Sequence, residues 1–209
     1  MQINNTNTYN TNFTGIKLQT IKTPTKKIDL YRLNKDDSAF INRIFPILNG
    51  HKLPEDKLYI GEGSQKDVFK ASLRSAINNP FSHVIMAIEN DSKITGLIDI
   101  KNMADSFIQN MLCLDKSSLT REALIYGAMN STERLKTFTL IAPKEIKDST
   151  KSLFRKMGFK TSKDFKDLTL KPKGIKKAIE NYKQNSPYKI TANVTKKYKN
   201  MAEVLKLDE

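Results

Sequence analysis

Two spacings of apolar residues alternate along the chain and divide it into predicted strands and helices. Short apolar runs rich in β-branched residues predict strands, whereas apolar positions three or four residues apart predict helices. Strands are predicted at residues 28–33, 83–89, 94–100, 107–114 and 138–142, with one or two more between 161 and 170. Helices are predicted directly after residues 36–38, at 64–77, at 119–129 and at 148–157. This order predicts an α/β (α+β) fold with a mixed sheet and helices on both faces.

The two ends of the chain differ from this middle part in composition. Residues 1–27 hold five Asn and seven Thr with few apolar residues, which predicts a low-complexity, disordered tail. Residues 171–209 show a helical spacing at 175–182, an alternating stretch at 188–194 and a short helical stretch at 201–207. We therefore expect one domain over residues 28–170. The basic C-terminal extension would cover a sheet edge, contact a partner or bind an acidic ligand.

Composition narrows the class of protein further. No apolar run approaches the roughly 18 residues needed to span a bilayer, and the polar start lacks the apolar core of a signal peptide. We therefore expect a cytoplasmic protein with no membrane partner. Cys113 is the only cysteine, which excludes an intrachain disulfide and a cysteine-rich zinc site. Because His51 and His83 stand far apart in the sequence, no metal site is predicted.

The net charge of +14 lies mainly at the two ends of the chain. Residues 1–27 carry four Lys and no acid, and residues 171–209 carry ten Lys and four acids, which leaves +4 for residues 28–170. The basic residues are 30 Lys and 6 Arg. Arg matches phosphates and base edges better than Lys does. The excess therefore indicates a lysine-rich composition, and we do not expect nucleic acid to be the partner.

One segment carries a more specific signal. KSLFRKMGFK (151–160) places Gly158 where a helix end needs a left-handed residue, and Phe159 directly after it. It follows a hairpin, a strand–helix unit and the strand at 138–142. In this order the segment resembles the GNAT superfamily of acyl-CoA-dependent N-acetyltransferases over residues 28–170. The resemblance implies transfer of an acyl group from acetyl-CoA, or another acyl-CoA, to a primary amine of a small molecule or a protein.

The resemblance also implies where acetyl-CoA would bind. The strand predicted at 107–114 would pair through its backbone with the pantetheine arm, at Met111, Leu112, Cys113 and Leu114. The next turn holds the pyrophosphate at a helix start in this family and is glycine-rich there. Here Ser117, Leu119 and Arg121 occupy the glycine positions.

Two interpretations of this turn remain open. In one, hydroxyl groups and charges replace part of the amide cradle, supplied by Lys116, Ser117, Ser118, Thr120 and Arg121. In the other, Ser118 only caps the helix and CoA is not bound.

The catalytic positions implied by the resemblance are altered as well. Phe154 stands where the family often has a Tyr that protonates the leaving thiolate, and a phenyl ring cannot do so. Candidates for the general base are Asp99 and Glu89 on the hairpin, with Asp115 as a third. His83 is expected to be a strand-end residue without chemistry. The sequence thus favours an N-acetyltransferase, and the alternative is a catalytically degenerate GNAT-like module that binds a partner through its basic ends.

Overall fold

The computed structural model describes residues 15–38, 42, 65–91, 93–115, 117–133, 139–143, 148–186 and 189–192. Apart from residue 42, the helix predicted after residue 38 lies outside the described residues, and so do the helix predicted at 201–207 and Lys116. Within the described part the chain forms nine strands and four α-helices, with a short 3-10 turn at Lys35–Asp37. The strands are β1 (Ile16–Lys22), β2 (Lys27–Arg32), β3 (Ser82–Glu89), β4 (Lys93–Asn102), β5 (Ser106–Cys113), β6 (Leu140–Pro143), β7 (Lys160–Thr161), β8 (Asp167–Leu170) and β9 (Lys189–Ala192). The helices are α1 (Gln65–Asn78), α2 (Ser118–Glu133), α3 (Asp148–Lys156) and α4 (Pro172–Asn185).

All nine strands belong to one mixed sheet, in the order β7-β8-β6-β5-β4-β3-β2-β1-β9. Every neighbouring pair is antiparallel except β5 and β6, which are parallel. A parallel pair needs a crossover connection, and α2 lies in the segment that joins these two strands. The predicted mixed sheet is therefore confirmed.

Helices cover both faces of the sheet, as predicted. On one side, here called the α1 face, Leu73 and Ile77 of α1 pack with Met86 and Leu97. On the other side, here called the α2 face, the core is larger and includes residues of α2, α3 and α4, among them Tyr126, Phe154 and Ile179. Apolar residues alternate along β3 between the two faces, with Val84, Met86 and Ile88 on one and Ile85 and Ala87 on the other.

Helix α2 is buried on most of its circumference. Its fully buried apolar residues are Ala123, Leu124, Ile125, Tyr126, Ala128 and Met129. Helices that are apolar on all sides occur in the interior of a fold. Here the sheet covers one side of α2, and α4 covers another, where the Tyr126 and Tyr182 rings stack with centroids 4.9 Å apart.

The two ends of the chain correct the predicted domain limits. The predicted disordered tail is wrong for residues 16–22, because these form β1 and bury Leu18 and Ile21 in the α2-face core. The sequence pattern did not reveal this strand because some of its buried positions are polar. Lys17 is one of them, and its ammonium group lies 2.7 Å from the Asp29 carboxylate. At the other end, β9 pairs with β1. The start and the C-terminal segment thus complete one edge of the sheet, and the folded unit is larger than residues 28–170.

Candidate functional site

Strands β5 and β6 run together for only two residue pairs among the described residues. Ser106 pairs with Leu140 and Phe107 pairs with Ile141. Beyond these pairs β6 stays with β8 as far as Pro143, while β5 stays with β4 as far as Cys113. The two parallel strands therefore separate, and in the described part of the chain one edge of β5 has no neighbouring strand in the middle of the sheet.

The hydrogen bonds to β4 decide which backbone groups of β5 face this open edge. The amide N–H of Leu114 donates to the Thr95 carbonyl (2.7 Å), so Gly96 and Cys113 form a non-hydrogen-bonded pair. The backbone N–H and C=O of Cys113 consequently point away from β4, and those of Met111 do the same two residues earlier. Of the four residues predicted to face pantetheine, Met111 and Cys113 are on the open edge. Leu112 and Leu114 direct their amides towards β4.

A polar cluster lies beneath the separating strands, on the α1 face. Asp99 of β4 and Asn110 of β5 are opposite each other, and both are buried. The Asn110 amide donates to Asp99 Oδ2 (3.1 Å) and to the hydroxyl of Ser72 on α1 (2.9 Å). The register of β4 and β5 shifts at this point, so that Gln109 is an extra residue on β5. This bulge places Asn110 beside Asp99 and continues the strand with Met111 on the opposite face.

Two acceptor oxygens in this cluster, Asp99 Oδ1 and Asn110 Oδ1, have no hydrogen-bond donor among the described residues. Buried acceptors without donors are uncommon because each costs the desolvation of a polar group. Burial raises the pKa of Asp99 to about 6, against the smaller opposing effects of the Asn110 hydrogen bond and the Lys101 charge. A carboxyl group with this pKa accepts and releases a proton near neutral pH.

The start of α2, where the family would hold a pyrophosphate, contains a carboxylate of the chain itself. Asp115 Oδ1 accepts the Ser117 amide N–H (3.0 Å), and Asp115 Oδ2 accepts the Thr120 hydroxyl (2.8 Å). Ser117 Oγ accepts the Leu119 amide (3.2 Å). These contacts satisfy groups that a bound anion would otherwise meet at a helix start. Thr120 is fully buried, and its hydroxyl faces Asp115.

The thiol of Cys113 is not an activated nucleophile. Its sulfur lies 3.3 Å from Asp115 Oδ1, and burial together with this carboxylate raises the pKa of Cys113 to about 12. The thiolate is the reactive form of cysteine. Cys113 therefore contributes its backbone, rather than its side chain, to the open edge of β5.

The remaining predicted residues lie apart from the Asp99 cluster. Glu89 ends β3 at the hairpin turn, where the Lys26 ammonium group lies 3.2 Å from its carboxylate. Phe154 is fully buried and packs edge-to-face on Phe159 with ring centroids 4.8 Å apart. Ser118 begins α2, and Arg121 follows within its first turn. The His83 ring is hydrogen-bonded to the hydroxyl of Ser131.

Sequence reasoning did not identify Asn110 and Ser72. A signal for Asn110 exists, because it is an amide inside the apolar stretch FIQNMLCL. Ser72 has no comparable signal, since a serine on a helix is ordinary until the helix is placed over β5.

Metal-ligand clusters and membrane-spanning helices are both absent from the part of the chain that the structure describes. There, no group of three or more His, Cys, Asp or Glu side chains is arranged to hold a metal ion. In that same part of the chain, no helix is long and apolar enough to cross a membrane.

Comparison with known proteins identifies solved structures with a similar fold. No protein-family model matches the chain, and no curated protein matches it in sequence. Solved structures do match. RimJ from Mycobacterium smegmatis, in complex with CoA-disulfide, superposes with a TM-score of 0.57 at 12% identity, covering 83% of this chain and 96% of RimJ. An uncharacterized protein from Bacillus halodurans superposes with a TM-score of 0.56 at 14% identity, covering 81% of this chain and 97% of its own.

The fold is therefore that of the GNAT N-acetyltransferases, which confirms the resemblance seen in the sequence at the level of fold. The similarity to RimJ extends over most of both chains. At 12% identity this similarity shows the fold alone. The activity has to be inferred from the residues of the candidate site.

Proposed function

We propose that this protein transfers an acyl group, acetyl in the simplest case, from an acyl-CoA to a primary amine. The observation that carries the proposal is the separation of β5 from β6 directly beside the buried Asp99–Asn110 pair. The neighbour RimJ has this fold and is in complex with CoA-disulfide, which supports a CoA thioester as the donor.

The donor would lie along the open edge of β5. An extended pantetheine chain carries amide groups, and the outward N–H and C=O groups of Met111 and Cys113 are suited to pair with them as a strand would. In this arrangement the Cys113 N–H would polarise the thioester carbonyl and stabilise the oxyanion that forms there. The fit at the start of α2 is poorer, because the Asp115 carboxylate already accepts the Ser117 amide. Of the five residues predicted from the sequence, Thr120 donates its hydroxyl to Asp115, so phosphate binding would depend on Lys116, Ser117, Ser118 and Arg121.

Asp99 is the general base in this proposal. The amine nitrogen attacks the thioester carbonyl carbon, a C–N bond forms, and the C–S bond breaks to release the CoA thiolate. Asp99 Oδ1 takes the amine proton, directly or through a water molecule. Asn110 holds the other carboxylate oxygen in place. The thiolate is protonated by solvent, because Phe154 has no proton to give. Access to Asp99 would be past Ser72, which is only partly buried.

A binding measurement and a transfer measurement test the proposal together. Isothermal titration calorimetry with CoA reports the first step, and release of free thiol from acetyl-CoA in the presence of a panel of primary amines reports the second. We expect saturable CoA binding and amine-dependent thiol release that Asp99→Asn lowers by at least about 100-fold, as for loss of a general base. Glu180→Gln, an exposed carboxyl on α4, is the control. Absence of CoA binding at millimolar concentration would reject the enzyme.

The position of Asp115 at the start of α2 is an argument for a second candidate function, a GNAT-like module that binds a partner without catalysis. A carboxylate at the helix start repels phosphate groups, and Phe154 occupies the acid position. The variant Asp115→Asn distinguishes the two functions, because Asn still accepts the Ser117 N–H but has no charge. If the protein binds CoA, this variant binds it more tightly. If neither form binds CoA, the binding module is the better description.

A further inference from the structure

The α1 face carries a lysine without an ion pair close to the point where β5 and β6 separate. On β4, Ile98 and Ile100 belong to the α2-face core. The residues that alternate with them, Asp99 and Lys101, therefore face the α1 side, with their Cα atoms about 7 Å apart. Lys101 is partly exposed and forms no ion pair with a carboxylate of the described residues. Its charge is therefore available to a ligand that reaches Asp99.

An exposed aromatic ring lies directly across from this lysine. Phe107 of β5 is paired with Lys101 of β4, and 38% of it is exposed although β5 is an inner strand of the sheet. On its other side Phe107 is paired with Ile141 of β6, in the last pair before these two strands separate. Paired residues on neighbouring strands point to the same face of a sheet. Phe107 and Ile141 thus form an apolar surface on the α1 face, next to Lys101.

The position of Asp99 decides the side from which an acceptor amine approaches. Because Asp99, the proposed general base, faces the α1 side, the amine nitrogen meets the thioester from that side. Groups attached to the amine then lie over Lys101 and over the apolar surface of Phe107 and Ile141. The Lys101 charge repels a second ammonium group and attracts a carboxylate. The apolar surface favours a hydrocarbon chain or an aromatic ring over a polar group.

We propose that the acceptor is a free α-amino acid with an apolar side chain. This inference rests on the proposed acyl transfer and names its substrate class. An amino acid carries the three groups that this part of the α1 face matches, an amine for Asp99, a carboxylate for Lys101 and a side chain for Phe107 and Ile141. A diamine lacks the carboxylate and the apolar side chain, and the N-terminus of a peptide lacks the free carboxylate.

The reaction yields an N-acyl amino acid. The unprotonated nitrogen forms a bond to the acyl carbon, the carbon–sulfur bond breaks, and CoA leaves as the thiolate. The proton that the nitrogen loses goes to Asp99. Lys101 and Phe107 take no part in these steps and hold the acceptor in place, so their replacement should change KM more than kcat.

Thiol release from acetyl-CoA at pH 8, with phenylalanine, phenylalanine amide, glycine and putrescine as acceptors, tests the substrate class. We expect the highest kcat/KM for phenylalanine. Lys101→Gln should raise the KM for phenylalanine about tenfold, which corresponds to about 1.4 kcal/mol, and leave the KM for the amide unchanged. Asp99, with a pKa of about 6, remains ionised at pH 8 in this variant. Comparing each acceptor between the two proteins cancels the different basicities of the two amines.

Two further variants complete the design. Lys93→Gln is the matched control, because it removes the same charge from an exposed residue at the other end of β4. Phe107→Ala should lower the preference for phenylalanine over glycine about tenfold and leave the KM for glycine unchanged. Phe107→Leu should keep most of this preference. Because Phe107 is exposed, we expect both Phe107 variants to fold, and far-UV circular dichroism checks this.

The outcomes separate failure of this inference from failure of the proposed function. Equal KM changes for phenylalanine and its amide in Lys101→Gln, or the same change in Lys93→Gln, would overturn the contact between Lys101 and the carboxylate. Faster reaction of putrescine or glycine than of phenylalanine would overturn the substrate class and leave acyl transfer standing. If no amine releases thiol, calorimetry with phenylalanine in the presence of CoA decides. Binding that Lys101→Gln weakens and Lys93→Gln does not supports the amino-acid site without the reaction, and absence of binding overturns it.

Discussion

Replacing Asp99 by Asn tests whether a buried carboxyl group lies beside the open edge of β5. The folded protein holds the pKa of Asp99 at about 6, against 3.8 for a free Asp, mainly because burial disfavours the charged form. The raised value means that ionisation of Asp99 opposes folding. This free-energy cost is absent at low pH, where Asp99 is protonated in both the folded and the unfolded state. It grows as pH rises above 3.8 and reaches its full value above about pH 6. Linkage over this interval gives about 1 kcal/mol at pH 4.5 and about 3 kcal/mol at pH 8.

Asp99→Asn removes this cost but keeps the shape and the hydrogen bond from Asn110. The new amide N–H has a fixed, pH-independent cost if it finds no acceptor, so the pH-dependent part is the sharper quantity. We expect the stability of Asp99→Asn, relative to the unmodified protein, to increase by about 2 kcal/mol between pH 4.5 and pH 8.

The assay is urea unfolding followed by far-UV circular dichroism, because the chain contains no Trp. At a slope of about 2 kcal/mol per molar urea, the two midpoints should move apart by about 1 M between these pH values. Glu180→Gln controls for the loss of one negative charge. A stability difference that does not change between pH 4.5 and pH 8 would refute the account of a buried, desolvated carboxyl, and with it the assignment of Asp99 as a base.

Three further predictions test other parts of the structure. Ile21→Ala should lower the free energy of unfolding by about 2–5 kcal/mol, because Ile21 of β1 is fully buried; no change would mean that the start of the chain is a loose tail after all. Gly96→Ala should destabilise by about 1–3 kcal/mol, because its Cβ would lie 2.6 Å from the Leu112 carbonyl oxygen; unchanged urea midpoints would contradict the close approach of β4 and β5. Cys113 should resist a disulfide reagent at pH 8 in the folded protein and react in urea, because its pKa is about 12; rapid reaction of the folded protein would mean that the thiol is accessible.

The middle of the fold could be predicted from the sequence, and its edges could not. Strands β3, β4 and β5 are dense in β-branched and apolar residues, so the pattern alone locates them. Strand β1 is different, because IKLQTIK buries Lys17, Gln19 and Thr20 together with its apolar residues. Burial of Lys17 depends on the Asp29 carboxylate of β2. Long-range pairing of this kind leaves no trace in a local pattern.

The sequence predicted which elements form the candidate site better than it predicted which residues line the site. The resemblance indicated β5 and the start of α2, and the structure separates β5 from β6 there. Which backbone groups face the opening depends on the register between β4 and β5, which a bulge at Gln109 shifts. The opposed pair Asp99 and Asn110 follows from that register and from nothing local to either residue.

Within the proposed function, the hydrogen bonds favour one of the three carboxyl candidates for the general base. Glu89 is committed to Lys26 at the far end of the hairpin. Asp115 accepts from the Ser117 amide and the Thr120 hydroxyl, and protonation would weaken both contacts at the start of α2. Asp99 has one donor, Asn110, and a second oxygen without a donor among the described residues. A general base must gain a proton without breaking the contacts that hold its surroundings. Of the three carboxyl groups, Asp99 meets this condition, because one of its oxygens is not used in such a contact.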